Sequence, residues 1–222
     1  MAGPQSQKVL VVDIGGSNVK VLVSGETERR RFESGPELTP QQMVDGVLEV
    51  ARDWSYDLVA LGIPALVVMG KVAVDPVNLG SDWVGFDFER AFGKPTRVAN
   101  DAAMQALGSY EGGKMLFLGV GTGLGSAVID EGNVEPLELG HLPFRKQTFE
   151  DYVGKRGLER LGKKKWREAV IETIERLTAA LEPDYVVLGG GNAKKLGELP
   201  PNVRLGANNN DFVGGFRLWD GK

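Results

Sequence analysis

Three short, nearly unbroken apolar runs set the frame of the chain: Lys8 to Asp13 (KVLVVD), Leu58 to Ile63 (LVALGI) and Lys114 to Gly119 (KMLFLG). Runs of this length without polar alternation predict strands buried on both faces. After the first run, Gly15 and Gly16 turn the chain, and Asn18 to Ser24 (NVKVLVS) returns as a second strand. Glu26 to Phe32 reads as a charged third strand near an edge. Thr39 to Trp54 predicts a helix: Thr39 caps it, Pro40 suits its first position, and Met43, Val47, Leu48 and Ala51 share one face. Residues 65–92 hold extended pieces, an Asn-Leu-Gly turn and a short Phe/Glu/Arg-rich helix. Thr96 to Ala99 is a short strand delivering Asn100 and Asp101 to its end, and Ala102 to Tyr110 is helical. Ser126 to Ile129 is the return partner of the third run, with Glu131, Gly132 and Asn133 as a turn. Phe149 to Leu181 is helical, broken near Gly162. Tyr185 to Leu188 is the last predicted strand, leading into Gly189-Gly190-Gly191 and a helix.

A strand pair closed by glycines thus occurs twice, near residue 13 and near residue 119, each followed by strand and helix material. The pattern predicts two similar βββαβα lobes facing a ligand cleft, with the glycine turns lining it. Glycine supplies 31 of 222 residues, about twice its ordinary share of ~7%. That excess lies in discrete loops of a chain otherwise rich enough in apolar residues to build a core. Formal net charge is −4, so no nucleic-acid partner is expected, since phosphate binding there needs clustered positive charge. The absence of cysteine removes disulfides, thiolate-bound zinc and a catalytic thiol from consideration. The opening MAGPQSQKVL lacks the basic start and apolar run of a signal peptide, and no stretch reaches the ~18 apolar residues of a membrane span. A cytoplasmic protein without membrane partners is expected.

Several constellations carry chemistry. In Asp13-Ile14-Gly15-Gly16-Ser17-Asn18-Val19-Lys20 the glycines let backbone N–H groups approach an anion. Ser17 and Asn18 add short donors, Lys20 a positive charge, and Asp13 a carboxylate suited to a hydrated Mg²⁺. Gly121, Thr122 and Gly123, within GVGTGLGS, form a second candidate phosphate cradle, with a plain bulged hairpin as the alternative. Gly189, Gly190 and Gly191 suit a nucleobase, ribose or phosphate, or merely a tight turn. Asn100 and Asp101 stand where α/β proteins bind ligands, so Asp101 can take a proton from an attacking hydroxyl; the same pair can also simply cap a helix. Glu138 and His141 (ELGH, with the only histidine) can hydrogen-bond a polyol. A basic run, Lys155, Arg156, Arg160, Lys163, Lys164, Lys165 and Arg167, suits a polyanion by field focusing or is a solvated helix face.

In order and spacing, DIGGSNVK, GIP, NDA, GVGTGLGSAV, ELGH and LGGGN resemble the ROK family of the actin and hexokinase superfamily. The tract AVDPVNLGSDWVG, the KKKW segment and the terminal ANNNDFVGGF are similar to its polyphosphate-glucokinase branch. The resemblance implies an α/β, two-lobed, actin-like ATPase (ribonuclease H-like) fold with a ligand cleft between lobes. By this division residues 1–101 form the N-terminal lobe and residues 102–222 the C-terminal lobe. It implies a phosphotransferase with an alcohol acceptor, moving a phosphoryl group from polyphosphate or ATP, with Mg²⁺, to the 6-hydroxyl of glucose. Asp101 matches the catalytic base, and Asn78, Asn100, Glu138 and His141 match sugar ligands. Asp13, Gly15, Gly16, Ser17, Asn18, Lys20, Gly121, Thr122 and Gly123 match the phosphate-binding turns. Gly189, Gly190 and Gly191 match the nucleotide-side loop. A homodimer is the family's common state. No zinc is expected, because Leu142, Pro143 and Phe144 stand where zinc-binding members carry cysteines. Ala65, Ala103 and Gly119 also depart from the pattern. The alternatives are a non-catalytic regulator on the same scaffold, or a kinase for another hexose or an amino sugar. The family's repressors carry a helix-turn-helix ahead of the first strand, which begins here at Lys8.

Overall fold

In the computed structural model, which describes residues 7–207 and 209–220, the chain divides into two units. One holds the chain up to Met104 together with the segment from Asp211 onward; the other is Gln105–Asn210.

The first unit is built on β1 (Val9–Ile14), every residue of which is buried. It pairs antiparallel with β2 (Asn18–Val23), which pairs with β3 (Arg30–Glu33) at the edge. The third strand is shorter than its sequence predicts: residues 26–29 are exposed, and only Arg30–Glu33 pair with β2. Next comes α1 (Pro40–Val50). The Thr39 hydroxyl accepts the Gln42 N–H and the Gln42 side chain accepts the Thr39 N–H, a reciprocal cap on two otherwise orphaned donors. Its packed stripe is Pro40, Met43, Val44 and Val47, continued by Ala51. Leu48, expected on that face, is instead 39% exposed, since it lies about 40° beyond Val44, at the margin of the stripe.

After β4 (Leu58–Ile63) come a two-residue hairpin, β5 (Val67–Val68) and β6 (Lys71–Val72), and then α2 (Phe88–Phe92). Then β7 (Thr96–Asn100) runs directly into α3 (Asp101–Ser109). The sheet order is β3-β2-β1-β4-β7, with β1, β4 and β7 mutually parallel.

The second unit repeats the plan. Strands β8 (Lys114–Val120), β9 (Leu124–Asp130) and β10 (Asn133–Leu137) form an antiparallel meander. Glu131 (φ 48°) and Gly132 (φ 81°) turn the chain into β10, the left-handed pair that suits a two-residue hairpin. A small hairpin of β11 (Pro143–Phe144) and β12 (Gln147–Thr148) leads to α4 (Phe149–Val153) and α5 (Lys155–Leu181). Gly162, at φ 73° and ψ 160°, breaks α5 where the sequence predicts. Trp166, fully buried just beyond the break, donates its indole N–H to the Val153 carbonyl at 2.7 Å. Strands β13 (Tyr185–Gly189) and β14 (Val203–Leu205) complete the order β10-β9-β8-β13-β14.

The sequence places the last strand at 185–188 and a helix after the triglycine. The structure instead adds β14 and reduces that helix to a 3-10 turn at Ala193–Lys195, since Gly197, Pro200 and Pro201 leave no room for a longer one. Finally α6 (Asn210–Arg217) returns the chain to the first unit. Among the described residues no helix is long and apolar enough to cross a membrane.

Candidate functional site

Register brings the first unit's candidates to one edge of its sheet. Asp13 of β1 pairs with Gly62 of β4, and Gly62 with Ala99 of β7. The carboxyl ends of three parallel strands therefore lie side by side, the place where open α/β sheets bind ligands. Adjacent strands are about 4.8 Å apart, so Asp13 and the Asn100–Asp101 pair stand about 10 Å apart across β4.

At the first of these ends the turn is held by one hydrogen bond of its own backbone and by Ser34. Gly15 N–H donates to the Asn18 carbonyl at 3.0 Å, the Ser34 N–H to the Ser17 carbonyl at 3.1 Å, and the Ser34 hydroxyl to the Gly15 carbonyl. Gly16 and Ser17 remain exposed. A Cβ on Gly16 would sit 3.2 Å from the Asn78 Cβ, so Asn78 lies directly over the turn. The loop that carries Asn78 is closed by Asp75, whose carboxylate accepts the N–H groups of Trp83 (2.9 Å) and Val84 (3.2 Å). Trp83 itself is fully buried.

Lys20 is not an isolated cation. It stands opposite Asp13 across β1 and β2, with its Nζ 2.7 Å from Asp13 and 3.5 Å from Asp211. Burial pulls this ammonium down, but the two carboxylates, Asp13 foremost, outweigh it and hold Lys20 above the ordinary lysine value. Burial, then the neighbouring Asp13 charge, push the Asp211 carboxyl up against the pull of Lys20.

At the third strand end Asn100 is engaged on both sides. Its carbonyl accepts the Ala103 N–H at 3.1 Å, capping α3, and its amide donates to the Ala65 carbonyl at 3.1 Å. The helix-cap reading of this pair is therefore realised by Asn100. Asp101 is the first residue of α3, half-buried, with Oδ1 accepting the Ala102 N–H at 2.8 Å. The positive end of the helix stabilises a carboxylate there. Gly62 lies close beneath it: an added Cβ would meet the Asp101 Cα at 3.6 Å and the Met104 Cε at 2.2 Å.

In the second unit the two glycine loops meet at the ends of the parallel pair β8 and β13, where Gly119 is opposite Gly189. Gly121 N–H donates to the Gly123 carbonyl at 3.2 Å. Asn192 ties the loops together, its N–H to the Val120 carbonyl (3.0 Å) and its amide to the Gly121 carbonyl (3.1 Å). The Thr122 carbonyl accepts the Lys155 N–H at 3.0 Å at the start of α5. A Cβ on Gly123 would stand 2.5 Å from the Glu150 carboxylate, whose charge is offset by Arg156 at 4.0 Å.

Glu138 precedes and His141 closes a 3-10 turn, Leu139–His141; the two side chains are 3.9 Å apart and 58% and 67% exposed. Buried Ser126 positions that turn, donating to the Leu137 carbonyl at 2.6 Å and accepting the Leu139 N–H at 3.2 Å. Beyond it, Phe144 stacks on Phe149 at 4.8 Å and meets Tyr152 edge-on at 5.2 Å, while Arg145 reaches Glu172 at 2.5 Å and Arg176 reaches Glu172 at 2.7 Å.

This pairing has a pH signature. The hydrogen bond from Arg145 first, then its charge and the Arg176 contact, hold the Glu172 carboxyl below its usual 4.5. A depressed carboxyl contributes stability that is present above the unfolded value and lost as pH falls through the folded one. The melting-temperature gap between wild type and Glu172→Gln is therefore expected to be constant above pH 5 and to close with acidification. A gap that widens in acid would refute the assignment.

Sequence reasoning missed Asp211, Ser34, Ser126 and Glu150. Asp211 left a trace as the acid opening the terminal NDFVGGF helix, and Ser126 as the last residue of GVGTGLGS, without a role. For Mg²⁺, which the family resemblance implies, the donor set fits. The ion takes one or two carboxylates with phosphates and water, and Asp13 supplies one buried carboxylate at the turn. Among the described residues, no group of three or more His, Cys, Asp or Glu forms a metal cage.

The duplicated unit is the actin-like ATPase fold. The chain superposes on the inorganic polyphosphate/ATP-glucomannokinase from Arthrobacter sp. strain KM with a TM-score of 0.80 and 25% identity, covering 95% of this chain and 97% of that one. With the Streptomyces griseus ROK family glucokinase, solved with glucose and AMPPNP, the TM-score is 0.75 at 16% identity, covering 95% and 98%. In sequence the chain is 26% identical over 212 residues to a polyphosphate glucokinase of Mycobacterium tuberculosis, covering 86% of this chain and 80% of that protein. The ROK family pattern matches residues 9–157, and the chain belongs to the ROK family.

Proposed function

We propose that the chain is a hexose kinase that transfers a phosphoryl group from polyphosphate or ATP to the 6-hydroxyl of glucose. The observation that carries this is the shared strand-end register of Asp13, Gly62 and Ala99. It supports the reading by bringing a glycine turn and a carboxylate at a helix start to the same sheet edge, about 10 Å apart. Names of the similar proteins, a polyphosphate glucokinase and a polyphosphate/ATP-glucomannokinase, supply the substrate class.

In this reading Asp101 is the base. It accepts the hydroxyl proton as the sugar oxygen bonds to the terminal phosphorus and the donor's bridging P–O bond breaks. Asn78, Glu138 and His141 hold sugar hydroxyls, while Asn100 chiefly fixes Asp101 and the Ala65 loop and leaves one amide proton for the sugar. In the turns of residues 15–18 and 121–123, whose Gly15 and Gly121 N–H groups are spent within the turns themselves, the remaining backbone donors, with Lys20, hold the donor's phosphates, and Gly189 to Gly191 border its nucleotide. Mg²⁺ arriving with the donor would be held by Asp13 and would neutralise phosphate charge. Most of the rate gain then comes from positioning and charge neutralisation.

The test is a coupled assay for glucose 6-phosphate with ATP and polyphosphate run in parallel. Product from either donor supports the reading, and none from both overturns it. Donor choice has its own residues. Arg156, Arg160 and Arg167 contact Asp151 and Glu198, whereas Lys163, Lys164 and Lys165 are exposed and without an ion pair among the described residues. Changing these three lysines to Glu is expected to lower kcat/KM for polyphosphate about tenfold or more and to leave ATP use within about twofold. Equal losses with both donors would return the run to a solvated face.

A further inference from the structure

The C-terminal helix poses a question that the proposed reaction does not answer. The chain leaves the first unit at Met104 and comes back at Asp211, and what returns is a single helix whose buried residues include an aspartate and two adjacent glycines. Side chains alternate across a strand, so Val9, Val11 and Asp13 of β1 share one face, as do Lys20 and Leu22 of β2. Phe212 packs in the cluster of Val9, Val11, Leu58, Ala60 and Met104, with Leu22 against it, which places α6 on that face. The approach is close: a Cβ on Gly215 would lie 2.3 Å from the Val11 Cγ1. Residues four apart share a helix face, so the glycine that lets the helix touch the sheet at Val11 also aims Asp211 at the next positions along that face, Asp13 and Lys20. The helix is pinned further along by Trp219, whose indole N–H donates to the Val59 carbonyl at 3.2 Å, and by Arg97 over the Trp219 ring. Asp211 and Asp13 are both only 6% exposed, and they share the one Lys20 ammonium.

We infer that Asp211 is a positioning residue for the phosphoryl donor: it is the second anchor that holds the Lys20 ammonium in place beside the turn of residues 15–18. A lysine stem has four rotatable bonds and an ammonium satisfied by any acceptor; one carboxylate defines a distance, and two on different elements, together with the tether of the stem, narrow the ammonium to one place. Where Asp13 would serve the donor and its metal, Asp211 would keep Lys20 from swinging into solvent. The inference rests on the reading of that turn as the donor-phosphate site. It also gives α6 a role in the chemistry, since the helix carries the anchor.

The test is a double-mutant cycle of Lys20→Met and Asp211→Asn in the full chain, read by donor and sugar kinetics and by urea unfolding. Asp211→Asn keeps the Phe212 N–H contact that Oδ1 makes and loses the charge. It is expected to lower kcat/KM for the donor about tenfold and to leave the sugar KM within about twofold, with Asp211→Glu restoring part of the loss. In the Lys20→Met background the same change is expected to cost less than about twofold, because the group it positions is gone. An undiminished tenfold loss in that background, or no loss in wild type, overturns the inference. Gly215→Ala offers a second route, displacing the helix with both charged residues intact, and is expected to reproduce the donor-specific loss; sugar and donor constants falling together would overturn the positioning role. The unfolding arm separates this from the reaction itself. Wild type inactive with both donors would sink the donor-site reading alone, while absence of coupling between Lys20 and Asp211 in unfolding would sink the anchor whatever the turnover.

Discussion

Asp101→Asn is expected to lower kcat by about 10²–10⁴ while leaving glucose affinity within about twofold, the usual worth of a positioned general base. Asparagine keeps the shape, and its Oδ1 can still accept the Ala102 N–H that Asp101 accepts at 2.8 Å, so α3 starts as before. What it cannot do is take the hydroxyl proton. A small loss of stability, about 0.3–1 kcal/mol, accompanies removal of a negative charge from a helix N-terminus; it is too small to unfold the protein and separates from the kinetic effect in a melting curve. Stopped turnover with intact calorimetric binding of glucose would mark Asp101 as acting on the reaction and not on the complex. Turnover near wild type would move the base elsewhere on the sheet edge.

Much of this arrangement is legible in sequence because it is local. The apolar run of β1, the glycine turn after it and the Thr39-Pro40 helix start depend on residues a few positions apart. The structure reproduces them nearly to the residue. The duplicated plan was visible for the same reason: each half announces itself by a glycine-closed strand pair. Where sequence reasoning fell short, the deciding contact is distant or the element is too short to carry a period. Asp211 meets Lys20 across 191 positions, and no spacing rule reaches that far. Strand β14 has three residues, and β10 contains a proline, so neither shows an alternating pattern. Leu48 shows the complementary limit: helical periodicity names a face, but the width of that face is set by the surfaces it packs on. Asn100 is intermediate, since its capping role was readable beside a ligand role, and only the geometry shows its carbonyl and amide both engaged.

Gly190→Ala is expected to damage the second unit as Asp101→Asn damages the reaction. Gly190 holds φ 82°, which costs an L-residue about 1–2 kcal/mol. Strain is the smaller part. An added Cβ would stand 2.5 Å from the Val120 carbonyl oxygen and 2.7 Å from its nitrogen, both main-chain atoms of β8 that no rotamer change can move aside. Relief requires the triglycine turn to lift from the strand, which breaks the two Asn192 hydrogen bonds to Val120 and Gly121, each worth about 1 kcal/mol net. The sum is about 3 kcal/mol or more of unfolding free energy. Gly191→Ala is the control: its Cβ would meet open space, so its stability should stay within about 0.5 kcal/mol of wild type. Because Val120 leads directly into Gly121–Gly123, the same displacement loosens that cradle, and donor KM should rise about tenfold or more while sugar KM changes little. Urea unfolding of the two alanine variants side by side decides the structural claim; equal midpoints would mean that the turn yields without strain and that the close approach to β8 plays no part in shaping the loop.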